Sequence, residues 1–411
     1  MARHLTIARA LGFASLLASL SGCGGPPIPW FNQGSDGPPL AYGDTLFLWS
    51  ASHQHSDYYD LWETRLWTYD VREPSEVAGA TFSDTYAYPG PSVSDRGDLL
   101  VPTNDTLLFY SLDFVETARV PLQGGQTSTA PAVDAEGTIY VGTDAGTVAA
   151  VSSAGELRWS APTPGTPFNR LAVGRDSAIF GFSAVVAQPG ETGWSAFALE
   201  PDGALRWSAP AGVPLASPAL GQRGELLLVT NDAPPEVAIP DPNDFKIVAL
   251  DPDTGERLWE TSLGRPGYSP VIAADGTVIV AINDEDTQQG TLVFLSGRSG
   301  RVQHRTTNFD GWIAEPAVAS DGDIFLGCGE FMCRVSKSGR IQERWTVQGT
   351  QYDEPGHYVV GAPMLLRGKV IAIRDDGWGL TWDYNRNLSL ERRSWSRNGA
   401  SAGNTGRVVN P

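Results

Sequence analysis

The sequence has few residues of the kinds that build redox, metal or nucleic-acid sites. Its 411 residues include three cysteines, three methionines and five histidines. It carries 29 basic and 47 acidic residues, a formal net charge of −18, and its only lysines are Lys246, Lys337 and Lys369. Because phosphate binding requires a basic surface, this charge excludes nucleic acid as a partner and gives no electrostatic attraction to anionic lipid.

Motifs of common enzyme classes are absent as well. The sequence has no Gly-x-Ser-x-Gly, no His-Glu-x-x-His, and no glycine-rich phosphate loop followed by Lys and Ser or Thr. His304 and His357 are isolated, which is more typical of packing or surface residues than of catalysis. We therefore expect no catalytic residue, no metal site and no cofactor.

Helical periodicity is missing beyond the first twenty residues, whereas 46 glycines and 30 prolines supply turns. Residues 130–159 show the alternative pattern. Residues 138–143 and 147–151 alternate as strands around the turn Asp144-Ala145-Gly146, and a second turn at Ala154-Gly155 leads to a strand ending at Trp159. Alternation with period two, broken by Gly and Asp, predicts antiparallel strands joined by tight turns.

Copies of this unit fill the rest of the chain. They share a Pro-x-(Val/Leu) step, a turn and an apolar strand, and successive anchors are 40 to 52 residues apart. A four-stranded repeat with this period is typical of propeller blades. The eight anchors are Pro39, Pro91, Pro131, Ala172, Pro218, Pro270, Pro316 and Pro363.

The fifth copy has the fullest motif, Ala249-Leu-Asp251-Pro-Asp-Thr254-Gly255-Glu-Arg-Leu-Trp259. It resembles the tryptophan-docking repeat of PQQ-like β-propellers, a family that includes quinoprotein dehydrogenases and the propeller lipoprotein of outer-membrane barrel assembly. The resemblance implies an all-β fold, with one eight-bladed propeller of four-stranded antiparallel blades over residues 39–411. Thr and Gly form a turn, Ala leaves room for the neighbouring sheet, and Trp fills the wedge between blades. The docking tryptophans are Trp159, Trp207, Trp259 and Trp345.

Two copies depart from this motif, and the chain ends on a related one. His304 stands where the sixth copy should have Trp, and Trp345 comes two residues late in the seventh. The segment from Trp395 to Arg407 resembles the W…N-T-G-R segment at one terminus of many PQQ-like propellers. We expect it to run along the last blade or to clasp the first.

The first residues resemble a bacterial lipoprotein signal. Arg3 and Arg9 precede an apolar run, and Leu20-Ser21-Gly22-Cys23 resembles a lipobox. We predict a signal peptide over residues 1–22, lipidation of Cys23, and a flexible tether over residues 23–38. An ordinary cleaved secretory signal is the alternative. Because Gly24 is not the Asp that favours inner-membrane retention in some bacteria, we expect an envelope lipoprotein, in the outer membrane by preference.

Cys328 and Cys333 flank the hairpin between the second and third strands of the seventh copy. An exported compartment permits a disulfide across that turn, which we expect to be structural. Free thiols remain an alternative. A redox pair or metal site is another, although no further Cys or His lies close in sequence.

Insertions lengthen the second-to-third hairpin in four copies, at residues 50–64, 182–193, 231–245 and 283–290. All four hairpins should rise from one face, and inserted loops on a repetitive scaffold are frequent recognition sites. The alternatives are drifted loops without a partner, loosely bound Ca²⁺, or zinc bound by His53 and His55. The candidate partner-binding residues are Tyr58, Tyr59, Trp62, Glu191, Asp232, Asp241, Asp244, Asp284 and Asp286.

We therefore expect a lipid-anchored, non-catalytic scaffold, monomeric by itself, that binds a protein partner, with outer-membrane protein assembly as the role the resemblance implies. The alternatives are a quinone-dependent oxidoreductase and a glycan- or metal-binding surface lipoprotein. Quinoprotein dehydrogenases use an adjacent pair of cysteines, and no two cysteines are adjacent here.

Overall fold

The strands that the structure describes are arranged in eight separate sheets. The computed structural model describes residues 6–8, 35–36, 40–42, 44–56, 59–70, 76–83, 90–188, 191–232, 241–307, 309, 311–348, 356–375, 379–384 and 389–390. In this part of the chain the one helical element is the single 3-10 turn Pro242–Asp244. The sheets follow chain order, and we number them sheet 1 to sheet 8.

The first four sheets take up the amino-terminal half. Sheet 1 contains Thr6–Ala8, Ser35–Asp36, Leu40–Tyr42, Thr45–Ser56, Tyr59–Asp70 and Glu76–Ser83. Sheet 2 contains Ser92–Val93, Leu99–Pro102, Thr106–Tyr110 and Glu116–Pro121, and sheet 3 contains Ala132–Val133, Ile139–Thr143, Thr147–Val151 and Leu157–Pro162. Sheet 4 contains Thr129–Ala130, Thr166–Val173, Ile179–Gln188, Glu191–Leu199 and Leu205–Ala211.

The other four sheets repeat the plan. Sheet 5 contains Val213–Pro214, Ala219–Leu220, Leu226–Asn231, Phe245–Leu250 and Arg257–Ser262, and sheet 6 contains Val271–Ile272, Thr277–Asp284, Gln289–Ser296 and Val302–Thr306. Sheet 7 contains Ala317–Val318, Ile324–Cys328, Phe331–Val335 and Ile341–Thr346. Sheet 8 contains Val359–Leu366, Lys369–Arg374 and Gly379–Asp383.

Sheet 3 shows why these sequences form strands. The Asp134 carboxylate accepts a 2.7 Å hydrogen bond from the Thr138 backbone N–H and so closes the first turn. Gly137 in that turn has a φ of +83°, in the left-handed region that glycine adopts without steric cost. The apolar side chains of the next two strands, such as Val141 and Ala149, are completely buried.

Antiparallel order gives each sheet two different ends. We call the main strands of a sheet first to fourth, in chain order. The first-to-second and third-to-fourth turns lie at one end, the turn end. The second-to-third hairpin and the connection to the next sheet lie at the other, the hairpin end. Hydrogen bonds join the second-to-third hairpin of a sheet to the connection that leaves the same sheet, as from Thr127 N to Asn104 O (2.8 Å) and from Gly290 N to Gly311 O (2.9 Å).

The core lies between sheets, because each sheet buries both faces against its neighbours. Sheets 2 and 3 share one apolar cluster and sheets 3 and 4 another, and further clusters join sheets 4 to 6, sheets 6 and 7, and sheets 7 and 8. Sheet 1 packs in two directions. Leu40 and Phe47 belong to a cluster with sheet 2, whereas Ala41 and Leu46 belong to the cluster of sheets 7 and 8. Arg367 of sheet 8 also forms an ion pair with Asp44 of sheet 1.

Several features differ from the pattern read in the sequence. Sheet 7 has all four strands despite its shifted Trp345. Ser35–Asp36, within the predicted tether, pairs with the second strand of sheet 1, and Thr6–Ala8, within the predicted signal peptide, pairs with the fourth. Thr129–Ala130 leaves its own sheet and pairs in parallel with the first strand of sheet 4. Cys23 and the segment from Trp395 to Arg407 lie outside the described residues.

Candidate functional site

Three tryptophans connect neighbouring sheets at the turn end. Trp159, Trp207 and Trp259 lie in the fourth strands of sheets 3, 4 and 5, opposite Ala150, Ala198 and Ala249 respectively. Each indole N–H donates to a carbonyl in the third-to-fourth turn of the next sheet. The acceptors are Pro201 (3.1 Å), Pro252 (2.8 Å) and Gly297 (2.9 Å). The tryptophans therefore belong to the scaffold and not to a binding site.

A glycine in the same turn makes room for each indole. Gly203, Gly255 and Gly300 all have positive φ. A Cβ atom would lie 2.6 Å from the Trp207 ring at Gly255 and 2.4 Å from the Trp259 ring at Gly300, closer than van der Waals contact allows. The glycine of the motif is thus required both by the turn and by the approach of the ring.

Sheets 6 and 7 replace this contact with others. His304 takes the tryptophan position in sheet 6, opposite Phe294, and its ring stacks on Phe294 with centroids 4.0 Å apart. Its buried Nε2 has no hydrogen-bond partner in the described part of the chain, and burial lowers its pKa. Trp345 packs with its centroid 6.0 Å from Tyr384, which follows the third strand of sheet 8.

The insertions extend the hairpin end as β-ladders. In sheet 1 the second and third strands pair without interruption from Thr45 and Asp70 to Ser56 and Tyr59. In sheet 4 the ladder reaches the pair Gln188 and Glu191. The structure therefore places Tyr59, Trp62 and Glu191 on hairpin strands, although their side chains lie outside the described set, as does all of Tyr58.

The acidic residues of sheet 5 are partly neutralised from within. Lys246 forms an ion pair with Asp232 and lies 3.3 Å from a Glu260 oxygen. Partial burial lowers the pKa of Lys246, but the hydrogen bonds and charges of Asp232 and Glu260 outweigh it and hold this pKa above its usual value. Asp232 is therefore one part of a triad and not an isolated anion.

Asp241 and Asp244 have a local structural role. Asp241 caps the short 3-10 turn by accepting the Asn243 backbone N–H at 2.8 Å, and an Asp244 oxygen lies 3.2 Å from the Asp241 backbone N–H. Such a capping box orders the end of the insertion.

Arg265 serves the acidic hairpin of sheet 6, a role that sequence analysis missed. Its guanidinium lies 3.2 Å from Asp284 and 3.0 Å from Asp286. Slight burial raises the pKa of Asp284, but the backbone N–H groups of Asp286 and Thr287 and the Arg265 charge lower it more, so the net shift is downward. The two residues are nineteen or more positions from Arg265. In the sequence, this pairing could be inferred only from the expectation that the connection before a sheet lies beside the second-to-third hairpin of that sheet.

The cysteines of sheet 7 are joined. Cys328 and Cys333 form a disulfide with Cα atoms 5.9 Å apart, and both residues are buried. The bond closes the second-to-third hairpin beside Gly329 and Glu330. A buried disulfide inside one hairpin is a structural crosslink, and its presence is compatible with an oxidising compartment.

A cleft of about 580 Å³ separates sheets 4 and 5. Leu228, Val248, Trp194 and Asp232 are among its lining residues. Both cations in the lining, Lys246 and Arg257, are already paired with acids. Among the described residues there is no group of three or more His, Cys, Asp or Glu side chains placed to hold a metal ion.

Comparison with known proteins agrees with this geometry. Residues 243–381 match the family model described as outer membrane protein assembly factor BamB. The solved structure of BamB from Moraxella catarrhalis superposes with a TM-score of 0.55 at 16% identity, covering 88% of this chain and 99% of that chain. The chain resembles a PQQ-like β-propeller of the BamB type.

Other propellers are similar to this chain in fold alone. The Dos1 propeller has a TM-score of 0.58 at 11% identity and covers 87% of this chain and 95% of its own. The WD40 domain of Sif2 has a TM-score of 0.52 at 13% identity, covering 70% of this chain and 78% of its own. No curated protein sequence matches the chain significantly. Within the described residues, no helix has the length and apolar character needed to cross a membrane.

Proposed function

We propose that this chain is an exported, lipid-anchored propeller of eight blades in a closed ring, which binds another protein at its hairpin end during outer-membrane protein assembly. The likeness to BamB, over nearly the whole of both chains, is the observation that carries the proposal. The family model named for an outer-membrane assembly factor supports the same role. No chemical step is part of the proposal.

Ring closure is supported by the packing of sheet 1. A closed ring requires the first and last sheets to meet, and Ala41 and Leu46 share a cluster with Leu365 of sheet 8 while Leu40 contacts sheet 2. Closure also removes exposed sheet edges, which otherwise promote aggregation. Small-angle scattering of the isolated, monomeric protein should give a radius of gyration of about 21 Å for residues 39–411. A markedly larger value would indicate an open arrangement.

Protein binding at the hairpin end is supported by the extended hairpins of sheets 1 and 4 and by the acidic residues of sheets 5 and 6. The test is affinity capture of the full-length, lipidated chain in mild detergent. We expect a protein of the outer-membrane assembly machinery to be enriched over a capture with an unrelated lipoprotein. Recovery of this chain alone would contradict the proposal.

The lipid anchor is tested separately, through Cys23. Labelling with an alkyne fatty acid should mark the native chain and not the Cys23→Ala variant, and the mature protein should begin at Cys23. An intact leader, residues 1–22, in the mature protein would overturn this part of the proposal. Addition of pyrroloquinoline quinone and Ca²⁺ should leave the absorption spectrum of the quinone unchanged, whereas a stoichiometric spectral shift would favour an oxidoreductase.

A further inference from the structure

Large apolar side chains are exposed at one recurring place in the fold. In the described part of the chain, eight large apolar residues are at least 36% exposed. Three of them, Val115, Leu205 and Leu258, lie in or just before fourth strands. The other five lie where the chain approaches or begins the first strand of five consecutive sheets, 4 to 8. We call these five the apolar crown: Phe168, Leu215, Tyr268, Trp312 and Tyr358.

Backbone pairing shows that three crown residues are structurally equivalent. Phe168 pairs with Phe182 of the second strand of sheet 4. Leu215 N donates to Val229 O (3.0 Å) and Tyr268 N to Ala281 O (2.9 Å) in sheets 5 and 6. Phe182, Val229 and Ala281 each lie two residues beyond the second-strand partner of an equivalent first-strand residue, which is Ala172, Ala219 or Val271 respectively.

The other two crown residues lie two positions nearer the hairpin. Trp312 O accepts from Gly329 N at 2.7 Å, and Tyr358 O accepts from Asp375 N at 2.9 Å. Because side chains alternate along an extended chain, a shift of two positions keeps the same side of the strand. All five crown residues therefore share one side of the chain at the hairpin end.

Hydrogen bonds link two neighbouring crown positions. The Asn283 side-chain amide donates to the Tyr268 hydroxyl at 3.3 Å and accepts from the backbone N–H of Ile313, the residue after Trp312, at 2.9 Å. At the other end of the crown, the Phe168 ring lies 5.5 Å from the Trp194 ring in an edge-to-face contact. Large, rigid aromatic side chains in such an array are the residues that anchor protein interfaces.

Acids outnumber cations around the crown in the part of the chain that the structure describes. Arg265 in a connection and Lys246 at a strand end are paired with acids. At two further strand ends, Arg305 and Arg374 donate to the Leu263 and Val347 carbonyls of the neighbouring connections. The acids are more numerous, and they extend from sheet 2 to sheet 8: Asp105, Asp144, Asp232, Asp241, Asp244, Asp284, Glu285, Asp286, Glu315, Glu330 and Asp375. Anionic lipid and nucleic acid are repelled by such a surface, whereas a cation is attracted.

We propose that the apolar crown and the acids around it form the docking surface for an extended, cationic segment of a partner polypeptide, in which Lys or Arg alternates with apolar residues. This inference rests on the proposed protein-binding function and names the chemistry of the partner. An extended segment presents alternate side chains to opposite sides, so that apolar ones contact the crown while cations reach the acids. Exposed aromatic rings also attract cations directly. Arg334 shows this contact inside the protein, 4.8 Å above the Tyr384 ring.

The test uses a fluorescent peptide of about ten alternating lysine and leucine residues, which spans roughly 33 Å when extended. The full-length chain should bind it, and salt should weaken the binding. Trp312→Ala and Tyr358→Ala should each weaken binding about tenfold, while Trp312→Phe should retain most of it. Leu205→Ala and Leu258→Ala are the matched controls, since they truncate equally exposed apolar residues outside the crown, and they should bind as the native chain does.

Three results would overturn the inference: no binding of the lysine–leucine peptide, equal binding of a glutamate–leucine peptide, or equal losses in the control variants. Circular dichroism of each variant confirms that the fold is kept. Affinity capture separates this inference from the proposed function. If the Trp312→Ala, Tyr358→Ala double variant still captures the partner of the native chain, the docking role of the crown is wrong and the proposed protein-binding function stands. If the peptide binds at the crown but the native chain captures no partner, the assembly function is wrong and the crown stands.

Discussion

The two ends of the sheets use their polar groups differently. At the turn end, networks of ion pairs join neighbouring sheets, as where Arg206 lies 2.8 Å from both Asp176 and Glu200 and 3.6 Å from Asp253 of the next sheet. At the hairpin end, acids outnumber their cations and large apolar residues stay exposed. The turn end therefore holds neighbouring sheets together, while the acids and exposed apolar side chains of the hairpin end are available to contact another molecule.

The largest expected effect concerns the turn end. Trp207→Ala should lower the free energy of unfolding by about 3–5 kcal/mol, because it empties the wedge between sheets 4 and 5 and removes the 2.8 Å hydrogen bond of the indole to the Pro252 carbonyl. The exposed Trp312→Ala should change it by less than about 0.5 kcal/mol. Urea denaturation followed by circular dichroism measures both. Equal losses for the two variants would remove the distinction between the ends.

The disulfide is the main covalent support at the hairpin end. The double variant Cys328→Ala, Cys333→Ala should lose about 2 kcal/mol of unfolding free energy, because the crosslink restricts the unfolded chain. Reductant should destabilise the native chain by a similar amount and leave the double variant unaffected. A native chain that is insensitive to reductant in denaturant would contradict this prediction.

His304→Trp should sharpen the comparison by restoring a docking contact. A Trp indole can donate to the turn of sheet 7 as its counterparts do elsewhere, and we expect a gain of about 1 kcal/mol in the free energy of unfolding.

Burial lowers the pKa of His304, so the folded state binds a proton at this residue less readily than the unfolded state does. Stability is therefore lost as pH falls below the unfolded pKa of about 6.5. The variant should lose this part of the pH dependence in urea titrations between about pH 7 and pH 5.

The smallest effect is a difference between two exposed aspartates. Asp286 at the hairpin end and Asp253 at the turn end have side chains 81% and 82% exposed, and each lies beside an arginine. Neither Asp286→Asn nor Asp253→Asn should change stability by more than about 0.5 kcal/mol. Asp286→Asn should weaken binding of the lysine–leucine peptide about twofold, whereas Asp253→Asn should leave it unchanged. The same loss in both would mean that net charge alone governs binding.

The sequence was sufficient for the repeat and its likeness to PQQ-like propellers, because the signals are local. Turns such as Asp144-Ala145-Gly146 and the Thr-Gly-to-Trp spacing occur within one copy. The sequence also indicated that His304 replaces a docking tryptophan, and that position is confirmed opposite Phe294. Eight blades, ring closure and the lipid on Cys23 stay predictions.

The proposed binding surface was harder to predict because its residues lie in the connections between copies. The crown residues precede their repeat anchors by two to five positions, from Tyr268 before Pro270 to Tyr358 before Pro363, so no fixed spacing marks them. Their equivalence follows from hydrogen bonds to the second strand, which only the structure supplies. The pairing of Arg265 with Asp284 and Asp286 was missed for the same reason, since it joins a connection to a hairpin.

The short strand Thr129–Ala130 has a consequence for how the chain is divided. It forms the edge strand of sheet 4, whose other strands all come later in the sequence. Backbone hydrogen bonds therefore connect the third and fourth repeats, in addition to their side-chain contacts. Separating the two repeats, or transferring one of them to another protein, removes this pairing. A fragment that ends between these two repeats would therefore lose backbone hydrogen bonds as well as side-chain contacts.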